Sequence, residues 1–207
     1  MTEIKICGLF RDCDIDYVNE AGPDYAGFIM NFPKSHRSLA PEEAAALRRR
    51  LRPDIRAVGV FVNESIQAVQ AEAERIGLQV IQLHGQEDDG YIAALRRVWK
   101  GPIWKAFRVR DPADLRAAEA SAADEVLLDN GYGSGKTFDW SLAVPLSRPF
   151  LLAGGLTPES IPRAIETLGP KLLDISSGVE TEGRKDRNKI RAAVLAAHGT
   201  YRREGIQ

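Results

Sequence analysis

Eight short runs of β-branched and aliphatic residues, each followed by a longer stretch of helical periodicity, limit what this 207-residue chain can become. The runs are Ile4–Cys7, Ala26–Met30, Val58–Val62, Val80–His84, Ile103–Phe107, Val126–Asp129, Phe150–Ala153 and Leu172–Ser176. Between them lie Ala/Glu/Arg-rich segments, among them Pro41–Leu51, Glu64–Ile76, Pro112–Ala120, Pro158–Leu168 and Asp186–Ala197. Several begin with a proline or an acidic residue, which suits a first helical turn. The alternation predicts a parallel α/β protein. At about 26 residues per strand–helix unit the chain sits near the lower size limit of a closed (β/α)8 barrel. A doubly wound open sheet is the alternative, but it spreads strand ends along a line. Cys7, His84, Asp129, Gly154 and Ser176 all fall at the C-terminal ends of strands, and a barrel gathers such ends on one face. The reading is therefore α/β, a single (β/α)8 TIM barrel with parallel strands. One domain over residues 1–207 is expected, since no proline- or serine-rich linker or low-complexity tract interrupts the pattern.

Charge narrows the partners. Lys and Arg number 28 against 29 Asp and Glu, so no long-range field draws the protein to nucleic acid or to an anionic membrane. An anionic ligand has to meet a local site. No apolar run approaches the roughly 20 residues of a membrane span. The opening MTEIKICGLF has neither a basic leader nor an export-length apolar stretch, so a cytoplasmic location is expected. The arginine run Arg48–Arg52 reads as a helix end whose cations suit the dipole. The cysteines, Cys7 and Cys13, form no disulfide framework, and the histidines lack metal-ligand spacing, so no metal is expected.

Cys7 closes the first run and shares a strand face with Lys5, because residues two apart point the same way. Its plain reading is a small buried hydrophobe. A neighbouring ammonium, however, favours thiolate and is expected to lower the thiol below its reference pKa of about 8.5. A lysine inside a barrel needs a partner, and Asp174 on the adjoining last strand is the expected one. Asp129 ends an apolar strand before the loop Asn130–Gly135, either as a turn cap or as a desolvated acid able to deliver a proton near neutrality. Gly135–Lys136–Thr137 lacks the upstream glycine of a nucleotide-binding loop. Better phosphate candidates are Gly154 and Gly155 after the seventh strand and Ser176, Ser177 and Gly178 after the eighth, where this fold commonly holds phosphate. His84 shares the inward phase of Gln82, as a polar contact or a structural residue. Arg37, in the loop after the second strand, is either a simply solvated loop arginine or, with its planar fork, a holder of a carboxylate.

These residues lie in stretches that together resemble the phosphoribosylanthranilate isomerase family nearly end to end. The stretches are Lys5-Ile6-Cys7-Gly8, Gly27-Phe28-Ile29, Val58-Gly59-Val60-Phe61-Val62-Asn63, Gln82-Leu83-His84-Gly85, Leu127-Leu128-Asp129, Phe138-Asp139-Trp140, Leu152-Ala153-Gly154-Gly155-Leu156 and Asp174-Ile175-Ser176-Ser177-Gly178-Val179-Glu180. The resemblance implies a barrel acting on a small phosphosugar, N-(5-phosphoribosyl)anthranilate, in tryptophan biosynthesis. It implies Cys7 as general base, Asp129 as general acid, Arg37 on the anthranilate carboxylate and the two glycine loops on the phosphate. No cofactor is required, and the oligomeric state is left as monomer or homodimer. Two positions depart from the family pattern: Phe10 stands where threonine is usual, and His36 stands for the proline of Ser-Pro-Arg, which is expected to loosen Arg37. A sister phosphosugar isomerase of histidine biosynthesis, which uses a carboxylate where Cys7 stands, and a non-catalytic phosphosugar-binding barrel are the competing readings.

Overall fold

A computed structural model of the chain describes residues 1–129 and 146–199. The loop from Asn130 through Gly135, the Gly135–Lys136–Thr137 stretch and the Phe138–Asp139–Trp140 motif lie outside the described residues.

Eight parallel strands run β1 (Glu3–Cys7), β2 (Tyr25–Met30), β3 (Arg56–Phe61), β4 (Val80–Leu83), β5 (Ile103–Arg108), β6 (Glu125–Asp129), β7 (Phe150–Leu152) and β8 (Leu172–Ile175). Each pairs with its sequence neighbour, and β1 also pairs with β8, with Lys5 opposite Asp174, so the sheet closes into a barrel. A two-residue strand, Ser38–Leu39, adds to the outer end of β2. The open-sheet alternative is thereby excluded.

Seven helices cover the outside: α1 (Asp12–Ala21), α2 (Pro41–Arg50), α3 (Ile66–Ile76), α4 (Asp89–Val98), α5 (Pro112–Ala120), α6 (Ile161–Leu168) and α7 (Arg187–Ala197), counted among the described residues. Local chemistry sets their ends. Ser65 caps α3 through the Ala68 N–H, and Asp186 caps α7 through the N–H groups of Asn188 and Lys189, so both helices begin later than their polar leaders suggest. Before α6, Thr157 and Ser160 exchange hydrogen bonds in a turn, which moves that start from Pro158 to Ile161. Arg50 at the end of α2 pairs with Asp12 and Asp16 of α1, consistent with a helix-end role for the arginine run. No helix among the described residues is long and apolar enough to cross a membrane.

The strand period of two divides the core. Outward residues such as Ile4, Ile6, Phe28, Ile81 and Leu128 pack under the helices. Inward residues Tyr25, Val58, Val80, Trp104, Leu127, Leu151 and Leu172 belong to a second, interior cluster. At the C-terminal end inward positions turn polar: Gln82, His84, Asp129 and Asp174 share the phase of Val80, Leu127 and Leu172 two or four positions earlier on their strands, and Lys5 and Cys7 alternate with the outward Ile4 and Ile6 on β1. The interior is thus apolar toward the N-terminal end and chemically equipped at the C-terminal one.

Candidate active site

The C-terminal mouth of the barrel opens into a cavity of about 550 Å3. Every site residue expected from the sequence lines it except Lys5, which is fully buried beneath its floor. A second cavity, about 580 Å3, lies at the N-terminal face. Its rim charges are joined as Arg56–Glu3, Arg96–Asp124 and Lys171–Glu125, and it contains none of those residues.

Lys5 donates from Nζ to Asp174 Oδ2 and to Gln82 Oε1, both at 2.8 Å, so the pairing expected across the barrel seam is present. Burial pushes the lysine's pKa down, but Asp174 and Cys7 outweigh it, and the ammonium form is favoured beyond its ordinary range. The other Asp174 oxygen, Oδ1, is buried without a hydrogen-bond partner among the described residues, an acceptor beside the cavity.

Cys7 is 8% exposed and lies between Lys5 and the cavity. Here the structure corrects the sequence reading. Burial pushes the thiol's pKa up, and although Lys5 pulls it down, Asp174 adds to the rise, so the net direction is upward. The reason is physical: the nearby ammonium already answers a carboxylate, and a thiolate in so dry a place is costly.

His84 is tied on both ring nitrogens' sides. Gln82 gives its oxygen to Lys5 and so turns its amide N–H toward His84 Nδ1, 3.1 Å away. That leaves the imidazole proton on Nε2, which stands 3.3 Å from Asp129 Oδ2. A polar line therefore crosses the floor from Asp174 through Lys5, Gln82 and His84 to Asp129.

The loops after β7 and β8 meet on one wall. Gly178 is required there, because a Cβ on it would lie 1.8 Å from the Leu156 carbonyl oxygen. The backbone N–H groups of Gly154, Gly155 and Ser177 donate to no other backbone group among the described residues. They border the cavity as a set of donors for an oxyanion.

Beside the loop after β8, where Gly8 adjoins both Arg37 Cδ and Ser176 Oγ, Arg37 is held by a residue to which the sequence reading gave no role. Its Nε and Nη2 donate to the two carboxylate oxygens of Glu180 at 2.7 and 2.5 Å. Lys185, whose side chain is fully buried, donates to Glu180 Oε1 at 2.6 Å and to Ser176 O at 3.0 Å. Burial raises the Glu180 carboxyl, but the bonds from Arg37 and the charge of Lys185 prevail and hold its pKa at about 2. The expectation that His36 loosens Arg37 is corrected as well. His36 reaches the Gly183 carbonyl at 3.2 Å and packs edge-on against Phe10, so the two departures from the family pattern touch each other. Glu180 closes the matched stretch that begins at Asp174, and Glu180–Lys185 forms a charged hairpin about Gly183. Those were the available signals; the partnership itself spans 143 residues.

The family model described as N-(5'-phosphoribosyl)anthranilate (PRA) isomerase matches residues 4–196. The chain belongs to the phosphoribosylanthranilate isomerase family. A relative named N-(5'-phosphoribosyl)anthranilate isomerase, from Thermoanaerobacter pseudethanolicus, is 39% identical over 96% of this chain and 99% of its own length. A solved phosphoribosylanthranilate isomerase in complex with reduced 1-(o-carboxyphenylamino)-1-deoxyribulose 5-phosphate is 35% identical, with a TM-score of 0.86 over 96% of this chain and 100% of that one. Another solved structure, of monomers of the dimeric phosphoribosylanthranilate isomerase of Thermotoga maritima, is 36% identical with the same TM-score, 0.86, and the same coverage, 96% and 100%. In this family member the isomerase motifs quoted from Lys5 to Leu128 and from Leu152 to Glu180 border or underlie the C-terminal mouth; Asp129 sits at its rim.

Proposed function

We propose that the chain converts N-(5-phosphoribosyl)anthranilate into 1-(2-carboxyphenylamino)-1-deoxyribulose 5-phosphate, an Amadori rearrangement of tryptophan biosynthesis. In class it is an aldose–ketose isomerisation, an intramolecular oxidoreduction that needs no cofactor. The observation that carries this reading is the convergence of Cys7, Asp129, Arg37 and both glycine loops on one cavity of about 550 Å3 in a chain of this family. The compound bound in the solved relative has the carboxyphenyl, open-chain sugar and phosphate groups that such a cavity would have to accommodate.

In the first step Asp129 gives its proton to the ribose ring oxygen. The C1–O bond breaks and the anilino nitrogen's lone pair forms a C1=N iminium. Cys7 thiolate then takes the proton from C2, and the C–H electrons move into a C1=C2 bond as the iminium is neutralised. The enolamine so formed becomes the ketose when C1 gains a proton and the C2 hydroxyl loses its own. The Asp174 Oδ1 acceptor is suited to a sugar hydroxyl, and His84, beside Asp129, to orienting the acid. The phosphate at Gly154, Gly155, Ser176, Ser177 and Gly178 and the carboxylate at Arg37 fix the two ends, so remote binding aligns the reacting carbons. Each positioned proton transfer supplies about 10²–10⁴-fold.

The same reading has residues 1–207 as one cytoplasmic domain, monomer or homodimer, with no nucleic-acid partner. The decisive assay follows the loss of anthranilate-type fluorescence when purified protein meets phosphoribosylanthranilate made in situ. Turnover is expected; a folded but silent protein contradicts the proposal.

A further inference from the structure

An arginine offers two edges to carboxylates: a side edge made of Nε and one Nη, and an end edge made of both Nη groups. In this protein Glu180 occupies the side edge of Arg37, through Nε at 2.7 Å and Nη2 at 2.5 Å. Nη1 makes no hydrogen bond among the described residues, and Arg37 lines the cavity, so the end edge is the one left for a ligand.

The surroundings leave this guanidinium little freedom. Gly8 has a positive φ of 73°, and a Cβ on it would stand 2.5 Å from Arg37 Cδ, so the aliphatic stem passes where only a glycine permits. Lys185 fixes Glu180 in turn, and is itself fixed by three acceptors, Glu180 Oε1, Ser176 O and Ser176 Oγ. Arg11 holds the Lys185 carbonyl at 3.1 Å, and His36 holds that of Gly183 at 3.2 Å, so the hairpin carrying Glu180 and Lys185 is pinned to the loops after β1 and β2. Two cations share one carboxylate here. The cluster thus carries a surplus positive charge at the cavity wall, which a second carboxylate would neutralise.

We propose that Glu180, seated by Lys185, is the positioning residue that aims the free edge of Arg37 at the aryl carboxylate, and so sets the preference for an ortho-carboxylated aryl amine over an uncarboxylated one. This rests on the Arg37 assignment above. Glu180 itself touches no substrate atom. Its effect appears as discrimination between two substrates, which a general loss of structure does not produce.

The test compares phosphoribosylanthranilate with the analogue made from aniline, which lacks the carboxylate, in the parent protein, Glu180→Gln, Arg37→Ala and the double variant. In Glu180→Gln, kcat/KM for the carboxylated substrate is expected to fall about tenfold to a hundredfold, mainly through KM, as when a charge-assisted contact is misaligned. The aniline analogue changes little, and the double variant is no worse than Arg37→Ala. Should Glu180→Gln fold poorly, Glu180→Gln/Lys185→Met removes the buried cation with its partner and carries the same comparison. A Glu180 variant that keeps the parent's preference, or loses activity equally on both substrates, overturns the proposal. If Arg37→Ala loses the preference while Glu180→Gln keeps it, only the role of Glu180 fails. If Arg37→Ala keeps the preference, the carboxylate assignment fails and this inference with it.

Discussion

Lys5 is enclosed on every side, with a carboxylate and an amide oxygen each 2.8 Å from its nitrogen. A buried ion pair is a poor source of net stability but an expensive thing to halve. Asp174→Leu is therefore expected to destabilise the fold by about 3–5 kcal/mol, while Lys5→Met/Asp174→Leu recovers much of the loss. Urea unfolding of the parent, both single variants and the double variant checks this, and additive losses would contradict it. Cys7 makes the same point about burial through its chemistry. Its thiol is pushed above the ordinary range, so the thiolate is scarce at neutral pH and grows as pH rises. With thiolate as the base, kcat/KM is expected to climb through the alkaline side of neutrality; a plateau already reached near pH 6 in a steady-state pH profile would contradict the assignment. The sign of this shift was not legible in the sequence. Lys5 and Cys7 are visibly neighbours on a strand face, but the dryness that outweighs the lysine comes from strands far along the chain.

At the scale of elements, all eight strands were legible because a parallel strand buried on both faces reads as an apolar run. Helix starts were less so: Ser65 and Asp186 belong to the polar leaders of their segments yet serve as caps, and only the backbone geometry tells a cap from a first turn. The two glycine loops show how a single atom couples elements. Gly178→Ala places a methyl group against the Leu156 carbonyl and has to push the loops after β7 and β8 apart. About a tenfold or greater rise in the KM for phosphoribosylanthranilate is expected, together with weaker binding of inorganic phosphate by calorimetry, in line with the sensitivity of positioned groups to displacements of about 1 Å. Unchanged phosphate binding would separate these loops from the phosphate role. The Glu180–Lys185 hairpin was the element least legible beforehand, since its charges make sense only against Arg37, 143 residues away.

For the whole molecule, the barrel divides labour along its axis. Trp104, 3% exposed and packed edge-on against Tyr25 at 4.9 Å, belongs to the N-terminal interior, away from every proposed reacting group. Trp104→Ala is expected to lower stability by about 3–5 kcal/mol while kcat of the folded fraction stays within a few-fold of the parent. Denaturant curves and active-site titration together check it; a collapse of kcat in folded protein would mean the two ends are coupled. The central claim is that one face of this barrel brings a cysteine base and an aspartate acid to bear on the same sugar. It is tested most directly by measuring kcat/KM for phosphoribosylanthranilate in Cys7→Ala and Asp129→Ala, with product-analogue binding as the control for an intact cavity. The account predicts losses of about 10²–10⁴-fold or more in each variant with binding largely kept, and near-parental turnover in either would contradict it.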